Sequence, residues 1–279
     1  MKNRVVSQIF RPEPTRIILA RKLIKTFKLL PYQDRVTIGA VERLTYAYCI
    51  FQAARLASLL KYPRISIIEF GCGGGNGLVA AEKHNVEVER LFGVKLELYG
   101  FDTGSGLPAP RDYRDVPHYF KGGLCKMNMK AIQAILKMAR LVIGDVRETC
   151  ATFFEQYDPA PIGCMLHDLD YYSLTTDALT LFETGSSNFL PKVFMYFDDI
   201  VGGDIWLSND YTGQRLAIDE FNKKHELQKI YPNYYLMEEY RIPWFSSMIR
   251  IYHDFAHPRY NDYIADSEQI DHENRIKLQ

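Results

Sequence analysis

The residues whose types and spacing could do chemistry fall in a few short segments. Glu69-Phe70-Gly71-Cys72-Gly73-Gly74-Gly75-Asn76-Gly77 closes the apolar run ISIIEF and opens a helical pattern, the setting in which glycines let a backbone come close to a ligand. A dinucleotide loop, G-x-G-x-x-G, would need glycine at position 76, where Asn76 stands; Glu69 with Gly71, Gly73 and Gly75 spells E-x-G-x-G-x-G instead. A purely structural glycine turn is the competing reading. Further along, Asp102 ends LYGFD, where a carboxylate at the carboxyl end of a strand beside the loop could accept hydrogen bonds from both hydroxyls of a ribose. Asp145 and Val146 follow RLVIG; Asp145 could accept from an adenine amino group, cap a helix starting near Val146, or do both.

The E-x-G-x-G-x-G spelling is the methyltransferase form of the loop. S-adenosylmethionine carries an amino acid and a sulfonium rather than a pyrophosphate, so the helix dipole matters less and a carboxylate near the loop suits the ligand's ammonium. Two later segments, CMLHDLDYYS and MYFDDIVGG, would bring Asp168, Asp170, Asp198 and Asp199 to the carboxyl edge of a sheet, the ligand crevice of open α/β folds. Carboxylates this close repel one another and stay partly protonated unless a cation neutralises them, and oxygen-rich sites suit Mg²⁺, Ca²⁺ or Mn²⁺. A divalent metal is the economical explanation. Helix capping is the alternative, strongest for Asp170 and Asp199. His167 alternates to the opposite side of its strand from Asp168 and is expected to be a buried, hydrogen-bonded histidine.

These residues need a scaffold that presents strand ends side by side. From Ile65 onward, short apolar runs alternate with helical patterns, the signature of a parallel sheet covered on both faces. Strands are expected near 65–70, 97–102, 140–144, 162–167 and 193–197, with helices near 77–84, 130–138, 147–156, 175–182 and 215–225 between and after them. Two further β-rich runs, 234–240 and 248–252, would pair antiparallel and complete a seven-stranded, mostly parallel α/β sheet of Rossmann-like type. Ahead of it, residues 1–60 read as a helical arm and lid, with a basic amphipathic helix from Thr15 to Leu30 and a second from Val41 to Leu60; 61–253 form the main domain, and 254–279 a polar tail expected to be partly helical or loosely packed.

Composition narrows the function classes. At 279 residues, 47% hydrophobic and 24% charged, the chain is a globule with a sizeable core rather than a disordered or fibrous one. Lys+Arg and Asp+Glu both total 34, so no global field draws it onto nucleic acid or anionic lipid. No apolar run approaches the ~20 residues that span a bilayer. Five cysteines without a C-x-x-C pair argue against a disulfide framework, so a reducing cytoplasm is the expected location. The basic first helix makes a homodimer plausible.

The segments IIEFGCGGGNG, YGFDTGSGLP, HDLDYYSLT and FDDIVGG, followed by RLAIDEFNKKH, together resemble the macrocin O-methyltransferase family over roughly residues 46–225. That resemblance implies a class I, S-adenosylmethionine-dependent enzyme acting on a hydroxyl of a small natural-product or sugar-like acceptor. It also implies Mg²⁺ on Asp168, Asp198 and Asp199, with Asp170 beside the metal or acting as base. Three departures stand out: HDLD replaces a leucine- or isoleucine-preceded motif, FDDI lacks the tyrosine that often follows the aspartates, and Arg111 to Asn128 form a long insertion, expected to be part of a substrate lid. Competing readings are a metal-independent transferase using Asp170 or His167 as base, a non-catalytic assembly protein, and a nicotinamide oxidoreductase, the last disfavoured by Asn76.

Overall fold

The computed structural model describes residues 15–239, 243–265, 270, 271 and 274. The basic residues of the first fourteen positions, position 240 of the expected 234–240 strand, and much of the expected tail lie outside them.

Three helices precede the sheet: α1 (Thr15–Phe27), α2 (Tyr32–Thr37) and α3 (Leu44–Leu59). They are very different objects. No residue of α1 is buried, whereas α3, LTYAYCIFQAARLASL, is apolar nearly all round and buries Tyr46, Ile50, Ala53 and Ala54 completely. A helix of that kind belongs in a core, so α3 is an integral layer of the domain rather than a surface element of an arm. Its neighbour α2 is fixed by a buried histidine: His84 Nε2 donates to the Glu42 carbonyl at 2.8 Å, leaving Nδ1 to accept from the Tyr32 hydroxyl at 2.9 Å.

The sheet alternates with helices as the apolar runs require: β1 (Arg64–Phe70), α4 (Asn76–Phe92), β2 (Lys95–Asp102), α5 (Met129–Ile135), β3 (Arg140–Ile143), α6 (Val146–Tyr157), β4 (Ile162–His167), α7 (Tyr172–Leu179), β5 (Phe189–Phe197), α8 (Gly213–Lys224), β6 (Gln228–Pro232), α9 (Tyr234–Glu239), α10 (Pro243–Met248) and β7 (Ile249–Asp254). Strand order is β3-β2-β1-β4-β5-β7-β6. The first five strands run parallel, and β7 is antiparallel to both β5 and β6. This is the seven-stranded class I methyltransferase sheet, with helices on both faces.

Period-two alternation assigns side chains to those faces. Ile65, Ile67, Leu96, Leu98, Cys164 and Leu166 pack with α2, α3 and α4, while Ile68, Phe70, Tyr99, Phe101 and Met165 pack with α6, α7 and α8. All six residues of β4 are buried, as a central parallel strand demands.

Two expectations are corrected here. The run starting at Tyr234 is helical (α9), and the sixth strand is the preceding QKIYP; Asn233, whose Oδ1 accepts from the Leu236 amide at 3.4 Å and whose Nδ2 donates to the Tyr48 hydroxyl at 3.0 Å, starts a helix where side-chain type alone suggests a strand. The segment after β7 is not loose up to residue 262: Asp254 is buried and accepts from Ser186 Oγ at 2.6 Å, and Arg259 donates to the Leu60 carbonyl at 2.5 Å. Among the described residues no helix is long and apolar enough to cross a membrane.

Candidate active site

The strand ends meet at one level. Past β1, the Gly71 amide donates to the Phe101 carbonyl at 2.9 Å; past β4, the Asp168 amide donates to the Phe70 carbonyl at 2.9 Å; past β3, the Gly144 amide donates to the Asp102 carbonyl at 3.0 Å. These bonds bring the glycine loop, Asp102, Gly144 and Asp168 around one cavity of about 310 Å³, at the lower end of the usual range for small-molecule sites. Two glycines make the close approach feasible. Gly71 has φ +79°, and a Cβ there would lie 1.8 Å from the Asp168 carbonyl oxygen; a Cβ on Gly77 would lie 1.8 Å from Glu69 Oε1.

Of the residues expected to bind a cofactor, Glu69, Gly71, Gly73, Asn76, Asp102 and Val146 line this cavity. Asp102 is held at both oxygens, accepting from the Gly73 amide (2.9 Å) and the Gly104 amide (2.6 Å), which leaves its remaining lone pairs for a ligand. Gly75 and Asp145 stand behind the wall. A Cβ on Gly75 would come 3.0 Å from Ile132, and Asp145 Oδ1 accepts from the Arg147 amide at 2.8 Å as the N-cap of α6, which is the capping alternative the sequence left open.

Glu69 is wholly buried. Its Oε1 accepts from the Tyr46 hydroxyl at 2.8 Å, its Oε2 has no partner among the described residues, and burial pushes its carboxyl up to about 8.

The other carboxylates gather beside it. One oxygen each from Asp168, Asp198 and Asp199 lies within 4.8 Å of the others. Burial and then Asp198 push Asp168 up to about 7, and burial and then Asp198 push Asp170 up to about 6; Asp199 is likewise raised, by burial and then Asp170. Three mutually repelling oxygens in a half-buried niche form a donor set that fits a hard divalent cation. Asp198 also accepts from the Tyr196 hydroxyl, and the Asp199 backbone amide donates to Gln214 Oε1 at 3.0 Å.

Asp170 stands apart from the three. It holds a left-handed backbone (φ +52°), its amide donates to Asp199 Oδ2 at 2.9 Å, and it lines both the main cavity and a smaller one bordered by Val116, Phe120, Trp206 and Thr212. It does not cap α7, where Tyr171 takes the N-cap position.

The insertion forms one wall of the smaller cavity. Phe120 and Tyr119 pack on Trp206 at ring separations of 4.9 and 4.8 Å, and His118 Nε2 lies 2.9 Å from the Trp206 carbonyl oxygen. Asp115, fully buried, fastens the insertion to α7 by accepting from Ser173 N and Oγ, both at 2.8 Å.

His167 corrects the expectation of a hydrogen-bonded histidine. Its ring stacks between Phe197 (4.6 Å) and Phe70 (5.0 Å), and neither nitrogen has a partner among the described residues. Burial lowers its pKa to about 3, so it is a neutral core ring.

Sequence reasoning did not single out Arg43, Cys125 or Lys126, which line the main cavity, or Tyr196, which bonds to Asp198, and it left Tyr46, which bonds to Glu69, among several tyrosines able to line an acceptor pocket. Tyr196 was within reach, since it lies two residues before Asp198 and so shares its strand face. Arg43 and Tyr46 carry no local signal, because only the packing of α3 under the sheet brings them to Glu69.

Strand order and the antiparallel β7 are those of the class I methyltransferase fold, and the glycine loop and edge carboxylates lie at the carboxyl ends of its strands. No family model and no curated protein matches the sequence. Among solved structures the chain is similar to the calicheamicin methyltransferase CalS11, at 20% identity over 75% of this chain and 84% of that one with a TM-score of 0.48. It is also similar to the O-methyltransferase NovP (16%, 65% and 72%, 0.46), and to TomG from Streptomyces achromogenes, an O-methyltransferase of tomaymycin synthesis solved with S-adenosylmethionine (14%, 81% and 85%, 0.36).

Proposed function

We propose that the chain is an S-adenosylmethionine-dependent O-methyltransferase that acts on a hydroxyl of a small natural-product or sugar-like molecule, with a divalent cation such as Mg²⁺ orienting the acceptor. The observation that carries this reading is the single cavity running from Asp102, suited to a ribose, past the glycine loop to Asp168 and Asp170, suited to a cation and a proton.

In this reading Asp102 takes the ribose hydroxyls, Gly71, Gly73 and Asn76 supply the loop surface, and Val146 packs on the base, with Asp145 acting through the α6 cap. Asp168, Asp198 and Asp199 hold the cation. When bound, the donor supplies a methyl carbon on a sulfonium, and the cation polarises the acceptor oxygen and lowers its pKa. Asp170 is the proton acceptor: it lines both cavities, and burial, ahead of Asp198, raises its carboxyl above the usual carboxylate range, toward the basicity needed to take a hydroxyl proton as the oxygen attacks. The Phe120–Trp206 wall excludes water on the acceptor side and offers an apolar surface to the body of the acceptor.

A metal-independent version of the same reaction is favoured by one observation, the position of Asp170 outside the three-carboxylate cluster. The apolar side chains exposed on α1, Leu19, Leu23 and Phe27, support a homodimer, which light scattering would test.

The deciding experiment is calorimetric titration of S-adenosylhomocysteine with Mg²⁺ and then EDTA, using Gly73→Val as control. Nothing lies within 4 Å of a Cβ at Gly73, so the added side chain would project into open space; the positive φ adds some strain. Micromolar binding that is lost in the variant is expected, and no binding in the wild type would sink the reading. Acceptor turnover that persists in EDTA would remove the cation from the reaction and leave Asp170 as its centre.

A further inference from the structure

We propose that Arg43 is the counter-ion for the α-carboxylate of the cofactor's methionyl arm; this rests on the cofactor reading given above.

The cavity wall carries four acidic residues, Glu69, Asp102, Asp168 and Asp170, and two cations, Arg43 and Lys126. Their order along the sheet edge fixes how an amino-acid nucleoside would lie. Asp102 stands on β2, Glu69 on β1 and Asp168 just past β4, and these strands are neighbours in the order β2-β1-β4. A ribose on Asp102 therefore sends the methionyl arm across β1 toward β4. That arm ends in an ammonium and a carboxylate. The β1/β4 end is rich in carboxyl groups that suit the ammonium, so the carboxylate needs a positive partner there or it faces net repulsion.

Arg43 occupies that end. Its charge is felt by both Glu69 and Asp168, lowering the pKa of each against the effect of burial. It sits at the N-cap of α3 with a left-handed backbone (φ +41°), a conformation that costs a non-glycine residue about 1 kcal/mol or more. Its guanidinium lies over the Tyr46 ring at 5.2 Å, which steers it beside the residue that holds Glu69. It caps nothing with its side chain, and among the described residues it forms no ion pair, so its N–H fork is free to meet a carboxylate bidentately.

The test compares two ligands that share the thioether nucleoside and differ in the amino acid: S-adenosylhomocysteine, which has the carboxylate, and 5′-methylthioadenosine, which lacks it. Wild-type protein should bind the first more tightly. Arg43→Ala should weaken S-adenosylhomocysteine by about 10- to 100-fold and leave 5′-methylthioadenosine within twofold, with Arg43→Lys in between because it keeps charge without the fork. Unchanged 5′-methylthioadenosine binding also shows that the variant is folded. An equal loss for both ligands, or no loss for S-adenosylhomocysteine, would overturn the assignment while leaving the cofactor reading intact. Failure of the wild type to bind either ligand would overturn both.

Discussion

The Tyr46 hydroxyl donates to Glu69 Oε1 at 2.8 Å, and through this bond a helix that precedes the sheet fixes the carboxyl under the glycine loop. Tyr46 also packs on Tyr196, ring to ring at 5.4 Å, and Tyr196 in turn donates to Asp198. Two tyrosines thus tie the expected cofactor end of the site to its carboxylate cluster. Tyr46→Phe keeps the packing and strips Glu69 of its described hydrogen bond. It should lower stability by about 1–3 kcal/mol, read as a drop in denaturant midpoint, and weaken S-adenosylhomocysteine; no change in either would mean the bond is idle.

Asp168→Asn removes one of three crowded carboxylates while preserving shape. In EDTA at pH 8 the variant should melt a few degrees above wild type, because the repulsion and desolvation that hold Asp168 up to about 7 are relieved. Mg²⁺ should raise the melting temperature of the wild type and leave that of the variant unmoved, and turnover should fall by at least about a hundredfold. A variant that still gains stability from Mg²⁺ would remove Asp168 from the metal site.

Two buried groups, Glu69 and His84, contribute to the pH dependence of stability with opposite signs. Glu69 is raised from 4.5 to about 8 in the fold, so its contribution is complete below pH 4.5 and is lost as pH rises to 8. His84 is lowered from 6.5 to about 4, so its neutral ring contributes fully above pH 6.5 and that contribution is lost as pH falls to 4. Between 4.5 and 6.5 the two slopes oppose, giving a plateau from this pair with declines on either side. Glu69→Gln should make the alkaline limb of ligand-free protein shallower, leaving the part that Asp168 and Asp170 contribute, and spare the acid one. An alkaline limb of unchanged slope would remove Glu69 from it.

His167→Phe keeps a ring between Phe70 and Phe197 and removes two buried nitrogens that lack partners among the described residues. The gain should be about 1–3 kcal/mol, seen as a higher melting temperature. A loss of stability would show that the imidazole is bonded, for instance to a buried water.

Much of this site could be read from the chain because its residues are tied to local patterns. A carboxylate that ends a buried apolar run must appear at the sheet edge, which is why Asp102, Asp168, Asp198 and Asp199 converge as expected. What could not be read depends on packing between distant segments. His167 looks like a polar residue in need of a bond until Phe70 and Phe197 close on it. Arg43 and Tyr46 sit in an apolar helical pattern that says nothing of what lies above them. The tyrosine-rich run after Asn233 has strand-forming side chains, but the Asn233 cap and its bond to Tyr48 on α3 settle it as a helix.

The position of β7 between β5 and β6 constrains how the molecule is made. During synthesis β6 leaves the ribosome before β7, yet its one neighbour among the described strands is β7, so it must wait unpaired until that strand arrives. A nascent chain stopped before Ile249 would therefore lack two strands rather than one and leave the β5 edge open, exposing the strand that carries Tyr196 to pairing with other chains.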